Sequence, residues 1–318
     1  MRLVFMGTGE IALPSLRWLI HARDRCDHEI VGVYTQPDKP IGRKQILTPP
    51  EVKVIAGAAG IPVFQPETLR KNEEACAEFA GLKPDLAVVM AYGQILPRSI
   101  IEAPRIACVN LHASLLPRHR GASPIQAAIR DGDRETGITL MHVIPKLDAG
   151  DMILKETIPI ESTDTGGILH DKLAELGPAL LQRGLPLLRS ESFESEPQNE
   201  EAVTYSGKLE RNDGHLDWNQ GAELLERLIR AYDPWPGTFA MLKIGEGLKK
   251  LKIFPQTSTA PDSGEKPGTV VSTNGGFRIS CGSGSLILNG DMQLEGKKRL
   301  PVRDWMRGTQ IPVGTILL

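Results

Sequence analysis

Residues 2–35, RLVFMGTGEIALPSLRWLIHARDRCDHEIVGVYT, predict a strand, a glycine turn, a helix and a second strand. The runs 2–6 and 29–35 are short, apolar and rich in β-branched side chains, and the segment PSLRWLIHAR between them has helical length. Apolar runs without a polar alternation indicate strands that are buried on both faces, and such strands occur in parallel sheets covered by helices.

The same alternation continues along the chain. The segments DLAVVMA (residues 85–91) and IACVNL (residues 106–111) predict two more buried strands, and EVKVIAGAAG predicts a helix. A further helix is expected over residues 165–189, interrupted near Gly177-Pro178. Residues 1–189 are therefore predicted to form an α/β domain with a Rossmann-like, mostly parallel sheet and helices on both faces.

The composition changes after this region. Residues 190–207 are largely acidic and polar, which predicts an exposed linker. Six short strand-like segments then follow between residues 238 and 296, separated by Gly, Pro, Ser and Asn. Residues 208–318 are accordingly predicted to form a small antiparallel barrel or sandwich.

The bulk composition is that of an ordinary globular protein, with 41% hydrophobic and 24% charged residues and a net charge of −2. The four cysteines are widely spaced, which is typical of reduced thiols. No apolar run approaches the roughly 20 residues of a membrane span, and the N-terminus lacks the pattern of a signal peptide. We expect a cytoplasmic protein without a membrane partner.

The turn GTGEIA, residues 7–12, matches the glycine pattern of dinucleotide-binding folds. That pattern also requires an acid near the end of the second strand, but this strand ends in Tyr34-Thr35-Gln36-Pro37, and Asp38 falls in the loop beyond. A nicotinamide dehydrogenase therefore remains a weaker alternative. A tight structural turn, or a cradle of main-chain amides for an anionic group, explains the glycines equally well.

The strongest chemical signal is NLHASLLPRHRG, residues 110–121. Side chains alternate along a strand, so Asn110 and His112 project to one side at its carboxyl end, where open α/β sheets bind ligands. With Asp148 further along the chain, they can polarise a carbonyl, stabilise an oxyanion and manage protons. No metal-ligand spacing is present. Acyl transfer to an amine fits this set, because the amine is itself the nucleophile.

These residues resemble the site of the formyltransferases that use 10-formyltetrahydrofolate, in which an N-x-H pair, an S-L-L-P segment and a downstream Asp occur together. The resemblance implies that Asn110 and His112 stabilise the oxygen of the tetrahedral intermediate, and that Asp148 sets the protonation of His112 or receives the amine proton. It also implies a folate-binding surface made of Ser114, Leu115, Leu116, Pro117, Met90, Tyr92, Gly93, Ile95 and Leu96, and no metal.

Within this family the chain is most similar to the branch that formylates methionine carried on initiator tRNA. The similarity includes the loop at residues 35–53, the segment AYDPWPG (residues 231–237) and the GKKR run (residues 296–299). It implies an OB-like C-terminal barrel that supports the tRNA. We also expect the protein to be a monomer, although the sequence does not reveal the oligomeric state. The residues expected to contact tRNA are Arg43, Lys44, Lys249, Lys250, Lys297, Lys298 and Arg299. Formylation of an amino-sugar nucleotide and non-catalytic RNA binding are the alternatives.

Overall fold

The computed structural model describes residues 1–42, 44–190, 194–274, 276–309 and 311–318. The chain forms two compact units. The first contains Met1–Gly121, Thr136–Ile158 and His170–Ser206, and the second contains Ala122–Glu135, Pro159–Leu169 and Gly207–Leu318. Each unit is thus assembled from three segments, whereas the predicted ranges 1–189 and 208–318 are continuous in sequence.

The elements up to residue 190 include both strands and helices. In chain order they are β1 (Arg2–Gly7), α1 (Leu13–Ala22), β2 (Glu29–Tyr34), β3 (Lys39–Ile41), β4 (Ile46–Thr48), α2 (Glu51–Ala58), β5 (Val63–Phe64), α3 (Glu73–Gly81), β6 (Leu86–Met90), α4 (Arg98–Ile101), β7 (Ala107–His112), β8 (Arg120–Gly121), α5 (Pro124–Asp131), β9 (Glu135–His142), β10 (Met152–Pro159), α6 (Gly166–Ala174) and α7 (Leu176–Ser190).

The elements beyond residue 190 are mostly short strands. They are β11 (Tyr205–Ser206), α8 (Ala222–Ala231), β12 (Thr238–Ile244), β13 (Gly247–Ile253), β14 (Thr257–Ala260), β15 (Val270–Ser272), β16 (Phe277–Ser280), β17 (Ser285–Leu288), β18 (Asp291–Leu294), β19 (Leu300–Pro301) and α9 (Val302–Gly308).

The first unit is built on a seven-stranded sheet with the order β10-β9-β7-β6-β1-β2-β5. The central strands β7, β6, β1, β2 and β5 pair in parallel, and β9 runs antiparallel to β7. Every residue of β6 and five of the six residues of β1 are buried. Helix α1 contacts α2 and α7, while α3 contacts α4. The predicted mostly parallel α/β sheet is confirmed.

The helical region 165–189 is divided into α6 and α7, and the break lies at Glu175. Pro178 lies in the first turn of α7, where a missing N–H removes no intrahelical hydrogen bond, so it begins a helix instead of ending one. Gly184 faces the sheet: a β-carbon there would lie 2.6 Å from a methyl of Leu140 on β9. The glycine therefore permits close packing of α7 against the strand.

The second unit has two four-stranded antiparallel sheets with the orders β12-β13-β18-β19 and β14-β17-β16-β15. They share one apolar core that includes the buried side chains of Trp218, Phe277 and Trp305. Helix α8 packs against β14, β17 and α5. This arrangement is that of a small barrel-like domain, as predicted. None of the helices in the described ranges has the length and apolar character that crossing a membrane requires.

Candidate active site

The glycine turn after β1 supports a neighbouring loop. The main-chain N–H groups of Thr8 and Gly9 both donate to the carbonyl oxygen of Ala91 at 3.2 Å, and the Thr8 hydroxyl donates to the carbonyl of Tyr92 at 2.9 Å. Dinucleotide-binding turns use such amides to hold a pyrophosphate. Because these two amides already hold the loop that follows β6, the structural interpretation of GTGEIA is favoured over nicotinamide binding.

The carboxyl end of β7 presents two polar side chains. Asn110 pairs in register with Val89 of β6, and His112 pairs with Thr139 of β9. Asn110 is half-buried, whereas His112 is buried. Within the described ranges, the Asn110 side chain has no hydrogen-bond partner, so its amide is available to a ligand. Both residues lie on β7, two positions apart, and side chains two positions apart on a strand project to the same side.

The two ring nitrogens of His112 have different surroundings. Its Nε2 lies 2.9 Å from the main-chain oxygen of His119, and its Nδ1 lies 3.7 Å from Oδ2 of Asp148. A carbonyl oxygen can only accept a hydrogen bond, so Nε2 carries a proton. Nδ1 is the ring nitrogen that faces the carboxylate of Asp148.

Asp148 lies on the loop between β9 and β10. Its Oδ2 atom accepts a hydrogen bond of 2.8 Å from the main-chain N–H of Gly121, and its side chain is 13% exposed. Its backbone is left-handed, with φ of 46°. The structure therefore brings Asp148 against His112, although 36 residues separate them in the sequence.

The segment Ser114–Pro117 is built tightly into the first unit. The Thr139 hydroxyl donates to the carbonyl of Ser114 at 2.7 Å and accepts from the N–H of Leu116 at 3.2 Å. Leu116 packs in a small apolar cluster with Met141 and Met152. The side chains of residues 115 and 117 are half-buried. The main-chain groups of this segment are thus partly used inside the protein, and its predicted role as the wall of a folate site stays a prediction.

The predicted folate-binding residues at the end of β6 and just after it fall into two groups. Met90 and Tyr92 are buried in the core, where burial raises the pKa of the Tyr92 hydroxyl, so neither side chain is available to a ligand. Leu96 packs partly against the same core. Gly93 is exposed with φ of 82°, and the side chain of Ile95 is 72% exposed. Only these last two offer an open surface at the strand end.

Strands β3 and β4 form a hairpin in the loop predicted to contact tRNA. Lys44 is exposed in its connecting turn, and Arg43 lies outside the described residues. The hairpin also exposes three large apolar side chains, those of Ile41, Ile46 and Leu47. A pair of exposed strands with apolar side chains and a cation at the tip is suited to contact a partner.

The base of this hairpin is held by a cluster of polar side chains. The Lys53 ammonium donates to both carboxylate oxygens of Asp38, at 2.9 and 2.8 Å, and the Gln65 amide donates to Asp38 at 2.7 Å and to the carbonyl of Gln36 at 2.8 Å. The hydrogen bonds from Lys53 and Gln65 lower the pKa of Asp38. Residues on both sides of the hairpin are therefore tied together.

The basic residues predicted in the second unit lie on β13 and on the connection between β18 and β19 of the same sheet. Lys249 and Lys250 are on β13, and residues 297–299 follow the neighbouring strand β18. The Lys250 ammonium lies 3.6 Å from the ring centre of Phe239. Arg299 donates to Asp291 at 2.7 Å and also stacks over an aromatic ring. Lys249, Lys297 and Lys298 are exposed.

Four residues that the sequence did not single out as site residues make hydrogen bonds to one another and to the segments around His112 and Asp148. They are Arg120, Gln198, Glu200 and Thr204, and they lie on or near β8 and the segment before β11. The Arg120 side chain is fully buried and donates to Gln198 at 2.9 Å and to Glu200 at 3.0 Å. The acidic composition of residues 190–207 predicted exposure, and no local pattern in the sequence indicates which of its residues turn inward.

The surroundings of the site suit neither a cysteine nucleophile nor a set of metal ligands. Burial raises the pKa of Cys108, two residues before Asn110, to about 12, so this group is a neutral thiol. Among the described residues, no three His, Cys, Asp or Glu side chains come together as a metal would require. The side chains present are donors and acceptors of protons.

Two family models match the two parts of the chain. The family model "Formyl transferase" matches residues 1–185, and "Formyl transferase, C-terminal domain" matches residues 208–310. Among solved structures, a sugar 3N-formyl transferase with bound dTDP and 5-N-formyl-THF has a TM-score of 0.64 at 18% identity, covering 94% of this chain and 99% of that one. An N-formyltransferase from Helicobacter canadensis, in complex with folinic acid and dTDP-3-aminofucose, has a TM-score of 0.65 at 19% identity, covering 90% and 98%. At these identities the likeness shows the fold.

Two curated relatives are similar over nearly their whole length. The methionyl-tRNA formyltransferase of Akkermansia muciniphila is 48% identical over 310 residues, which is 97% of this chain and 96% of that protein. The methionyl-tRNA formyltransferase of Marinobacter nauticus is 45% identical over 309 residues, with the same coverage. The chain therefore belongs to the formyl transferase family and, within it, to the methionyl-tRNA formyltransferases.

Proposed function

We propose that this protein transfers the formyl group of 10-formyltetrahydrofolate to the α-amine of methionine esterified to initiator tRNA, which yields formylmethionyl-tRNA for translation initiation. The observation that carries the proposal is the identity of 45–48% to methionyl-tRNA formyltransferases along both units. The placement of Asn110, His112 and Asp148 at the carboxyl edge of the sheet supports it, because their chemistry suits acyl transfer to an amine.

The reaction requires a site that stabilises negative charge on an oxygen. When the amine attacks the formyl carbon, the carbonyl oxygen takes up the electron pair of the broken π bond. The carbon–nitrogen bond to the folate then breaks; the folate nitrogen takes a proton, and the former amine loses one. The half-buried Asn110 amide has no partner among the described residues and can donate to this oxygen. Such a donor contributes about 3 kcal/mol to lowering the barrier.

His112 can donate to the same oxygen only through Nδ1, since its Nε2 proton is directed at the carbonyl of His119. This requires the imidazolium form of the ring. In that form the Nδ1 proton lies beside Oδ2 of Asp148, which is 3.7 Å from Nδ1. The same carboxylate is a base for the proton that the amine gives up, directly or through water. We therefore assign charge stabilisation to Asn110 and His112, and proton management to Asp148.

The surface beside this site fits an apolar, flat co-substrate. The exposed Ile95 side chain and the open Gly93 main chain lie at the end of β6, next to the strand that carries Asn110. An apolar surface with main-chain groups beside it is typical of sites for aromatic ring systems. We include Ser114–Pro117, the segment that follows β7, in the proposed folate site, with the half-buried side chains of residues 115 and 117 as its accessible part. Folate supplies the activated formyl group, and these residues orient it.

For the tRNA we propose two contact regions. In the first unit the hairpin of β3 and β4 presents Lys44 and the exposed apolar side chains. Arg43, which precedes Lys44 in the sequence, is proposed from the sequence alone. In the second unit Lys249, Lys297 and Lys298 are free to approach phosphates, since they are exposed. Lys250 and Arg299 already contact aromatic rings, so we expect them to contribute less.

The test compares acceptors with one formyl donor. With labelled 10-formyltetrahydrofolate, we expect label to appear on methionyl-tRNA and none on a dTDP-linked amino sugar. Preferential labelling of the sugar would replace this proposal by the amino-sugar reaction, the substrate class of the structurally similar sugar formyltransferases. Absence of transfer to either acceptor would refute the formyltransferase activity itself.

A further inference from the structure

We propose that Gln198 is a positioning residue, which holds the loop carrying Asp148 in the conformation needed for proton transfer; this rests on the function proposed above. Gln198 lies 50 residues after Asp148 and is buried. Its amide Nε2 donates to the main-chain oxygens of Asp148 and Gly150, each at 2.8 Å. Its Oε1 accepts from Nε of Arg120 at 2.9 Å. Both polar atoms of this side chain thus make hydrogen bonds to the Asp148 loop or to Arg120.

The Asp148 loop has an uncommon backbone conformation and is tightly closed. Asp148 has φ of 46°, a left-handed conformation that few residues with a β-carbon adopt, although aspartate does so more often than most. Two residues on, a β-carbon at Gly150 would lie 1.9 Å from the main-chain oxygen of His142, so the loop is closed tightly against β9. Gln198 joins the carbonyls on both sides of Ala149 and so fixes the turn between them.

Arg120 links this support to the carboxylate. Its side chain is fully buried, and it donates to Gln198 and to Glu200, whose other oxygen accepts from Lys146 at 2.8 Å. The next residue, Gly121, donates its main-chain N–H to Oδ2 of Asp148. Neighbouring residues therefore hold Asp148 by its carboxylate and, through Gln198, by its main chain. Loss of the Gly121 contact would free the carboxylate of Asp148, and loss of the Gln198 contact would free its main chain.

The same segment also fixes His112. Strand β11 pairs in parallel with β8, and the carbonyl and hydroxyl of Thr204 accept from the N–H groups of Arg120 at 2.9 Å and of His119 at 2.8 Å. The main-chain oxygen of His119 in turn accepts from Nε2 of His112. A β-carbon at Gly121 would lie 2.3 Å from the main-chain oxygen of Ser206, so the two strands are in close contact. Residues 198–206 thus set the relative position of His112 and Asp148.

The experiment uses the full-length protein with Gln198→Ala, Gln198→Glu and, as a control from the same segment, Glu201→Gln, whose side chain is exposed. In steady-state formylation we expect both Gln198 variants to lower kcat by about 10- to 100-fold, because misplacement of a reacting group by about 1 Å can have that effect. We expect the KM values for tRNA and folate to change less than about twofold. The control should behave as the unsubstituted protein does.

A merely structural role is separated from a positioning role by combination with Asp148→Asn. If Gln198 acts through Asp148, its substitution in that background should lower kcat by less than about threefold, since the group that it positions is already lost. The inference would be overturned if the decrease in kcat of the double variant equalled the product of the two single decreases. It would also be overturned if both Gln198 variants had normal kcat. Should Gln198→Ala not fold, Gln198→Glu keeps the size of the side chain and the acceptor for Arg120 while removing the donor. The proposed function fails by a different result, a full-length unsubstituted protein that does not formylate methionyl-tRNA.

Discussion

His112 and Asp148 face each other across 3.7 Å, from Nδ1 of the ring to Oδ2 of the carboxylate. Each is also held by a main-chain group of the same short stretch: His112 donates to the carbonyl of His119, and Asp148 accepts from the N–H of Gly121. This arrangement leaves the second ring nitrogen of His112 facing one carboxylate. We therefore assign charge stabilisation and proton management in the proposed reaction to these two groups.

The first prediction concerns the carboxylate. Asp148→Asn keeps the size of the side chain and an oxygen that can accept from Gly121, but it removes the charge and the base. We expect kcat for formylation to fall by about 10²- to 10⁴-fold with little change in either KM, because the loss affects proton transfer. Asp24→Asn, a change at an exposed surface carboxylate, is the control. An Asp148→Asn enzyme with normal kcat would exclude any role of this group in the chemistry.

The second prediction concerns the hairpin of β3 and β4. Lys53→Met removes the ammonium that ties Asp38 at the base of the hairpin, so the hairpin becomes less well placed for tRNA. We expect KM for methionyl-tRNA to rise about two- to fivefold, in keeping with the small energies of partly exposed ion pairs, and kcat and the folate KM to stay unchanged. Arg17→Met breaks a more exposed ion pair with Glu51 and is the matched control. An equal rise in KM for both variants would count against a specific role of the Lys53 contact.

The third prediction concerns the core of the second unit. Trp305 is buried and packs edge-on against Phe277, with ring centres 6.0 Å apart. Trp305→Ala should lower the free energy of unfolding of this unit by about 3–5 kcal/mol, because it removes a large side chain from a packed core. Trp235, which is 48% exposed, serves as the comparison, and Trp235→Ala should cost less than about 1 kcal/mol. Denaturant titration followed by circular dichroism measures both, and equal losses would contradict the assigned core.

The fourth prediction concerns pH. Burial lowers the pKa of His28 below its ordinary value of 6.5, against the opposing effect of its hydrogen bond to the carbonyl of Leu19. Below about pH 6.5 the unfolded chain binds a proton at this position that the folded protein resists, so stability falls as the pH is lowered. We expect the thermal midpoint to be lower at pH 5.5 than at pH 7.5, and His28→Gln to reduce that difference by a few degrees. His21→Gln, at an exposed position, should leave it unchanged. A His28→Gln protein with the full pH dependence would show that the dependence arises elsewhere.

Features that depend on neighbouring residues in the sequence, such as the buried strands, were predicted correctly. The unbroken apolar runs predicted β1, β2, β6 and β7 to within about a residue or two, because strands buried on both faces need apolar side chains at every position. The alternation of side chains along β7 was enough to put Asn110 and His112 on one side of the strand.

Other features depend on contacts between distant residues and could not be predicted in this way. Composition alone made residues 190–207 an exposed linker, yet Gln198 turns inward because the buried Arg120 needs an acceptor. The sequence also did not show that the side chains of Met90 and Tyr92 are buried in the core, so that the predicted contact of this segment with folate falls to its main-chain groups and stays a prediction. Which side chains at a strand end are buried depends on the packing of neighbouring helices.

The central claim is tested most directly by formyl transfer to two acceptors that carry the same amino acid. Methionyl initiator tRNA and methionyl elongator tRNA are each incubated with the unsubstituted protein and labelled 10-formyltetrahydrofolate, and the initial rates of label transfer are compared. We predict rapid formylation of the initiator tRNA and, at the same concentrations, a far lower rate with the elongator tRNA. Equal rates would contradict initiator recognition, and no transfer to either tRNA would contradict the proposed function.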